Sequence, residues 1–230
     1  MANNQIDPRL SSAASLVRAG AVFADIGTDH GYLPVFLLST GRIKYAYLSD
    51  VNAGPLNKAR ENVAHAGLEN KCSLLLADGA SALSGLGITD YAICGMGGEL
   101  IADIIERAPH LFDGDVRLIL QPMSRQEHLR RALYRLGFHI IDEIYSLSDG
   151  KRYLCICAEF LGEPCEISDK LAYLGPDLPH NGDREAYLAY LHAKREGFER
   201  IATAKSVAGI DDGTAQIVAL FDGRIKEYTV

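Results

Sequence analysis

Ala24-Asp25-Ile26-Gly27-Thr28-Asp29-His30-Gly31 is the stretch on which the fold turns. Residues 21–26 form a short apolar run ending in Gly-rich turn residues, the pattern of a buried strand. Residues 32–38 then read as a helix closed by Gly41, so the octapeptide is a strand-to-helix turn. Outward from it the same unit recurs. Strands are predicted at 45–48, 72–76, 91–94 and 116–120, and helices at 9–19, 55–66, 100–107 and 126–136. Such alternation is the signature of βαβ units around a parallel sheet.

The style changes after Gly137. Two β-rich runs, 138–146 and 152–160, flank Ser148-Asp149-Gly150, a hairpin signal that adds an antiparallel edge to the sheet. Beyond Gly162 the chain is punctuated by Leu174-Gly175-Pro176-Asp177 and Leu178-Pro179-His180-Asn181-Gly182. Helical patterns at 183–204 and 214–226 follow, an antiparallel αα-hairpin. The expected fold class is α/β, with a Rossmann-like sheet domain over residues 1–162 and a C-terminal helical extension over 163–230.

Composition narrows the class further. A hydrophobic fraction of 48% with 23% charged residues describes an ordinary globular chain. No apolar run is long enough to span a bilayer, and Met1-Ala2-Asn3-Asn4-Gln5-Ile6-Asp7 has no secretory pattern. Of the five cysteines, Cys94, Cys155 and Cys157 lie in apolar runs, as small buried thiols do. Cys155 and Cys157 lack CxxC spacing, so no metal is expected and a cytoplasmic, reduced protein fits best. The net charge of −7 argues against a surface that attracts nucleic acid everywhere, while leaving room for a local basic patch.

In an open parallel sheet, ligands bind beyond the carboxyl ends of the strands. Here those ends carry Asp25 to Gly31, Asp50-Val51, Asp78-Gly79, Gly95-Met96-Gly97-Gly98 and Gln121-Pro122. Gly27 and Gly31 let a backbone approach a ligand, with Thr28 and His30 in the same turn. The spacing Asp-x-Gly-x-x-x-Gly is not that of a dinucleotide site. Asp25 and Asp29 would repel a pyrophosphate but welcome a cationic aminoacyl sulfonium. Asp50 stands where an acid accepts from ribose hydroxyls, or else caps the next helix. Asp78 is placed to accept from an adenine amine, although Asp-Gly is also an ordinary turn. Three ordered acidic strand ends together point to an adenosyl ligand, S-adenosyl-L-methionine.

Asp29-His30-Gly31-Tyr32-Leu33-Pro34, Gly95-Met96-Gly97-Gly98 and Leu120-Gln121-Pro122 resemble the bacterial tRNA (adenine(22)-N1)-methyltransferase family. The resemblance runs from Arg9 to about Ala204. It implies a Rossmann-like class I methyltransferase sheet, a coiled-coil-like C-terminal extension, and methyl transfer from S-adenosyl-L-methionine to adenine N1 in tRNA. Met123 stands where the family commonly has Asn, so a role for that amide does not carry over.

Adenine N1 has a lone pair, so its methylation needs alignment more than a strong base. Asp29 is the candidate for orienting the base or accepting an N6 proton, or else serves the cofactor. Gly95, Met96, Gly97 and Gly98 are candidates for shaping the base pocket, or form a plain strand-to-helix turn. For tRNA phosphates the candidates are Arg125, Arg130, Arg131 and Arg135, opposed by one acid, Glu127. Lys194, Arg195, Arg200 and Lys205 share the tail with Glu196 and Glu199, as solvated helix faces do. The rival readings are a small-molecule or protein methyltransferase and a noncatalytic adenosyl-ligand or RNA-binding module. The sequence leaves the oligomeric state open.

Overall fold

The computed structural model describes residues 6–177 and 183–229; 1–5, 178–182 and 230 lie outside the described residues, and with them part of the N-terminal and Pro/Gly-punctuated stretches. The chain opens with α1 (Pro8–Leu16), whose Asp7 N-cap carboxylate accepts from the Arg9 N–H at 2.7 Å. Alternation follows: β1 (Ala21–Ile26), α2 (Tyr32–Ser39), β2 (Ile43–Asp50), α3 (Ala53–His65), β3 (Cys72–Leu76), β4 (Asp90–Gly97), α4 (Gly98–Glu106), β5 (Arg117–Ser124) and α5 (Gln126–Arg135). The hairpin β6 (Phe138–Ser148) and β7 (Lys151–Phe160) turns through Asp149 and Gly150, both at positive φ.

The strands form one sheet in the order β3-β2-β1-β4-β5-β7-β6. The first five pair in parallel, and β7 runs antiparallel to β5 and β6. The expected antiparallel edge is present, with β7 inserted between β5 and the outer β6. Strand order reverses between β1 and β4, which makes their carboxyl ends the topological switch point. Both faces are covered. Phe23, Leu48, Ala92 and Ile119 pack against α1, α2 and α3, while Ile26, Ile93, Leu118 and Leu120 pack against α4 and α5. Near-continuous apolar strands are what burial on both faces requires.

Three helices follow among the described residues: α6 (Asp169–Leu174), α7 (Arg184–Val207) and α8 (Thr214–Thr229). The sequence pattern did not announce α6, a six-residue helix too short to show periodicity. Its Ser168 N-cap accepts from the Leu171 N–H at 3.2 Å. Tyr187, Leu191, Ile217 and Phe221 bury the base of the α7–α8 hairpin in the same core as α5 and β6. Its far end is bare, with Val207 86% and Ile210 55% exposed. No helix among the described residues is long and apolar enough to cross a membrane.

One expectation for α5 is overturned. Arg130 is fully buried and cannot meet a tRNA phosphate. Its Nε and Nη2 donate to the Glu143 carboxylate at 2.7 and 3.0 Å, and its Nη1 to the Ala172 carbonyl at 2.8 Å. Burial opposes the guanidinium charge, yet the Glu143 carboxylate more than offsets it, so the proton is held more tightly than usual. Helical periodicity explains the error. Arg130 lies on the same face as the buried Gln126 and Leu133, four and three positions away, and a charge there is stable only when fully paired.

Candidate active site

A cavity of about 480 Å³ opens at the switch point, within the range of small-ligand sites. Asp25, Gly27, Thr28, Asp29, His30, Asp50, Val51, Asp78, Gly79, Gly95 and Met96 all line it, as the strand-end reading expected. Gly31, Gly97 and Gly98 do not. A Cβ on Gly31 would lie 3.1 Å from the Leu48 side chain and 3.2 Å from Ala59, so this glycine lets α2 approach β2 and α3. A Cβ on Gly98 would collide with the Arg125 carbonyl oxygen and lie 2.9 Å from that of Ser124. Gly97 lies against Ser124. The last two glycines therefore close-pack α4 on the end of β5 rather than shape the cavity. Gly27, at φ +70, has Met96 Cε lying where its Cβ would be, so the Met96 side chain roofs the first turn.

Asp25 is 6% exposed. Among the described residues its one side-chain donor is Thr28, whose hydroxyl reaches Oδ2 at 2.6 Å. Burial pushes its pKa from 3.8 up to about 6, opposed by the Thr28 hydrogen bond and by Arg9. Asp50 accepts from the Asn52 N–H at 2.8 Å and from the Asp29 N–H at 3.4 Å. The N-cap of α3 is Asn52, so Asp50 is not the helix cap. Asp29 is held in the left-handed region, at φ +48, with its carboxylate 3.6 Å from His30 Nε2. The His30 and Tyr32 rings stack at 5.2 Å, and Tyr32 is 55% exposed at the rim. Asp78 is an exposed lining residue, 3.6 Å from Arg107.

The cavity also recruits residues that were not among the candidate site residues. Tyr32, Asn52 and Leu100 adjoin strand-end segments and were within reach of the same reading. Arg9 was not. It stands on α1, far along the chain, and its Nη1 donates to Gln121 Oε1 at 2.8 Å across 112 positions of sequence. No local pattern could have placed it there.

The other arginines, Arg125 at the N-cap of α5 and Arg131 and Arg135 within it, reach the surface. Arg125 faces Glu99 at 3.5 Å and Glu127 at 3.8 Å, Arg135 faces Glu106 at 3.2 Å, and Arg131 pairs with Asp169 and the Ile167 carbonyl. In the tail, Lys194 is half-buried against Gln126 and Tyr190 rather than fully solvated.

An acid-tipped switch-point cavity in this seven-stranded sheet defines a Rossmann-like methyltransferase. Residues 6–156 match the methyltransferase-domain family. The tRNA (adenine(22)-N1)-methyltransferase of Bacillus subtilis is 36% identical over 155 residues, 67% of this chain, and the match spans 65% of that enzyme. The solved structure of Streptococcus pneumoniae Sp1610 in complex with S-adenosyl-L-methionine is 31% identical, covering 96% of this chain and 100% of that one, with a TM-score of 0.82. That of the B. subtilis tRNA methyltransferase TrmK is 28% identical over 99% and 98% of the two chains, with a TM-score of 0.79. The chain belongs to the bacterial tRNA (adenine(22)-N1)-methyltransferase family.

Proposed function

We infer that this protein transfers a methyl group from S-adenosyl-L-methionine to N1 of an adenine in tRNA, at position 22. The observation that carries the reading is the order of carboxylates along one cavity: Asp78, Asp50 and Asp25 at the ends of β3, β2 and β1. The residues fit the donor. Asp25 is a buried carboxylate with one side-chain hydrogen bond and a raised pKa, an environment that a cationic ligand would relieve. Asp50 would hold the ribose hydroxyls and Asp78 the adenine amine. When bound, the donor supplies an electrophilic methyl on a positive sulfonium.

The chain's own task is then alignment. Met96, over the Gly27 turn, offers an apolar wall to a flat ring. Asp29 stands on the rim with its side chain 67% exposed, placed to orient the incoming base or to accept a proton from its N6. Arg125, Arg131 and Arg135 are the phosphate candidates that remain, since the acids now facing them on the surface are weak competitors.

The test is methyl transfer into tRNA with labelled donor, followed by mapping of the modified base. Label at N1 of adenine 22 is expected. Tight donor binding with no label in tRNA would overturn the substrate assignment and leave an adenosyl-binding protein.

A further inference from the structure

We propose that Arg9 is the carboxylate-binding group of this cavity, held by Gln121 and Tyr153, and that with Asp25 it clamps the zwitterionic amino-acid end of the adenosyl ligand. The proposal rests on the adenosyl reading above. If Asp78 and Asp50 take the adenosine, the rest of the ligand extends over β1 toward β4. Asp25 and Gly95 lie there, and Arg9 with them: a Cβ on Gly95 would sit 4.0 Å from Arg9 Nη1. Arg9 is also close enough to Asp25 and Cys94 for its charge to lower both their pKa values.

Arg9 is held in place. Its Nη1 donates to Gln121 Oε1, its guanidinium lies 5.8 Å from the centroid of the Tyr153 ring, and the Asp7 cap of its helix accepts from Ser148 at 3.0 Å. Yet it forms no ion pair with a carboxylate among the described residues. The residue that holds it is a neutral amide, 1% exposed, whose Nε2 is buried without a partner. A glutamate there would satisfy Arg9 and cancel its charge. Glutamine fixes the fork and leaves the charge free, as capture of a ligand carboxylate requires. Gln121 and Tyr153 are therefore positioning residues that act through Arg9.

Calorimetry with S-adenosylhomocysteine and 5′-methylthioadenosine tests this, because the second is an adenosyl thioether lacking the amino-acid group. The wild-type protein should prefer the first. Arg9→Met should weaken S-adenosylhomocysteine about tenfold to a hundredfold and leave methylthioadenosine unchanged, with Arg9→Lys in between. Gln121→Glu should show the same selective loss. Equal losses for both ligands would overturn the clamp in favour of a general structural role. Unchanged S-adenosylhomocysteine affinity with weakened tRNA binding would assign Arg9 to RNA instead. A wild-type protein that binds both ligands equally removes the clamp alone, whereas one that binds neither removes the adenosyl reading too.

Discussion

Asp25 and Glu143 are both buried carboxylates on strands of one sheet, and they are held in opposite ways. Glu143 receives two guanidinium hydrogen bonds from Arg130 and the Tyr145 hydroxyl at 2.8 Å, in a site closed to solvent. Asp25 receives one hydroxyl and faces a cavity. A buried charge completed by its own protein is part of the architecture. One left incomplete in the lining of a cavity is a candidate for binding a ligand.

The largest expected effect falls on the completed pair. Arg130→Ala strands Glu143 and should destabilise the fold by about 3–5 kcal/mol in denaturant unfolding. The double variant Arg130→Met with Glu143→Leu should recover most of that loss. If the single variant costs under about 1 kcal/mol, the two carboxylates are not held differently after all.

Asp25→Asn should do the reverse. Unfolding stability should hold or rise, while affinity for S-adenosylhomocysteine should fall by about 1.5–3 kcal/mol in calorimetry, the worth of a hydrogen bond to a charged group. A stability loss comparable to that of Arg130→Ala would erase the distinction.

The contrast also has a pH signature. Because the Asp25 pKa is raised from 3.8 to about 6 in the folded, ligand-free protein, ionising it opposes folding. That penalty is complete above about pH 6 and disappears as pH falls toward 3.8, opposite to an ion-paired aspartate. Binding a cationic ligand needs the charged form, so affinity should weaken as pH is lowered through about 6. Asp25→Asn should flatten this profile; a slope retained in the variant would assign the titration to another group.

Gly98→Ala should cost about 1–3 kcal/mol by forcing α4 off the carbonyls of Ser124 and Arg125, an overpacking effect visible in thermal unfolding. The smallest effect belongs to the surface. Arg125→Ala with Arg135→Ala should leave stability within about 1 kcal/mol, yet lower the salt dependence of tRNA binding by about two phosphate contacts. An unchanged salt slope would take this helix off the RNA surface.

Much of the sheet was legible because βαβ units write themselves in local periodicity: a short apolar run, a turn, an amphipathic helix. The strand-end acids could be read for the same reason, since each sits at the end of its own strand. β4 and β5 extend beyond the apolar runs, to Gly97 and Ser124, because the irregular pairing of Met96 with Pro122 continues the ladder through residues with little strand preference. Helix α6 was hidden by its length.

By itself, then, the sequence determined the α/β class, the order of its units and the acidic tips that line the cavity, all properties of contiguous segments. The tertiary structure decided what depends on packing between distant ones. It brought Arg9 beside Asp25, gave Gly31, Gly97 and Gly98 to close packing, and drew Arg130 into the core. A charged side chain reads the same in a sequence whether it faces water or a partner 13 residues away, and only the fold supplies the partner.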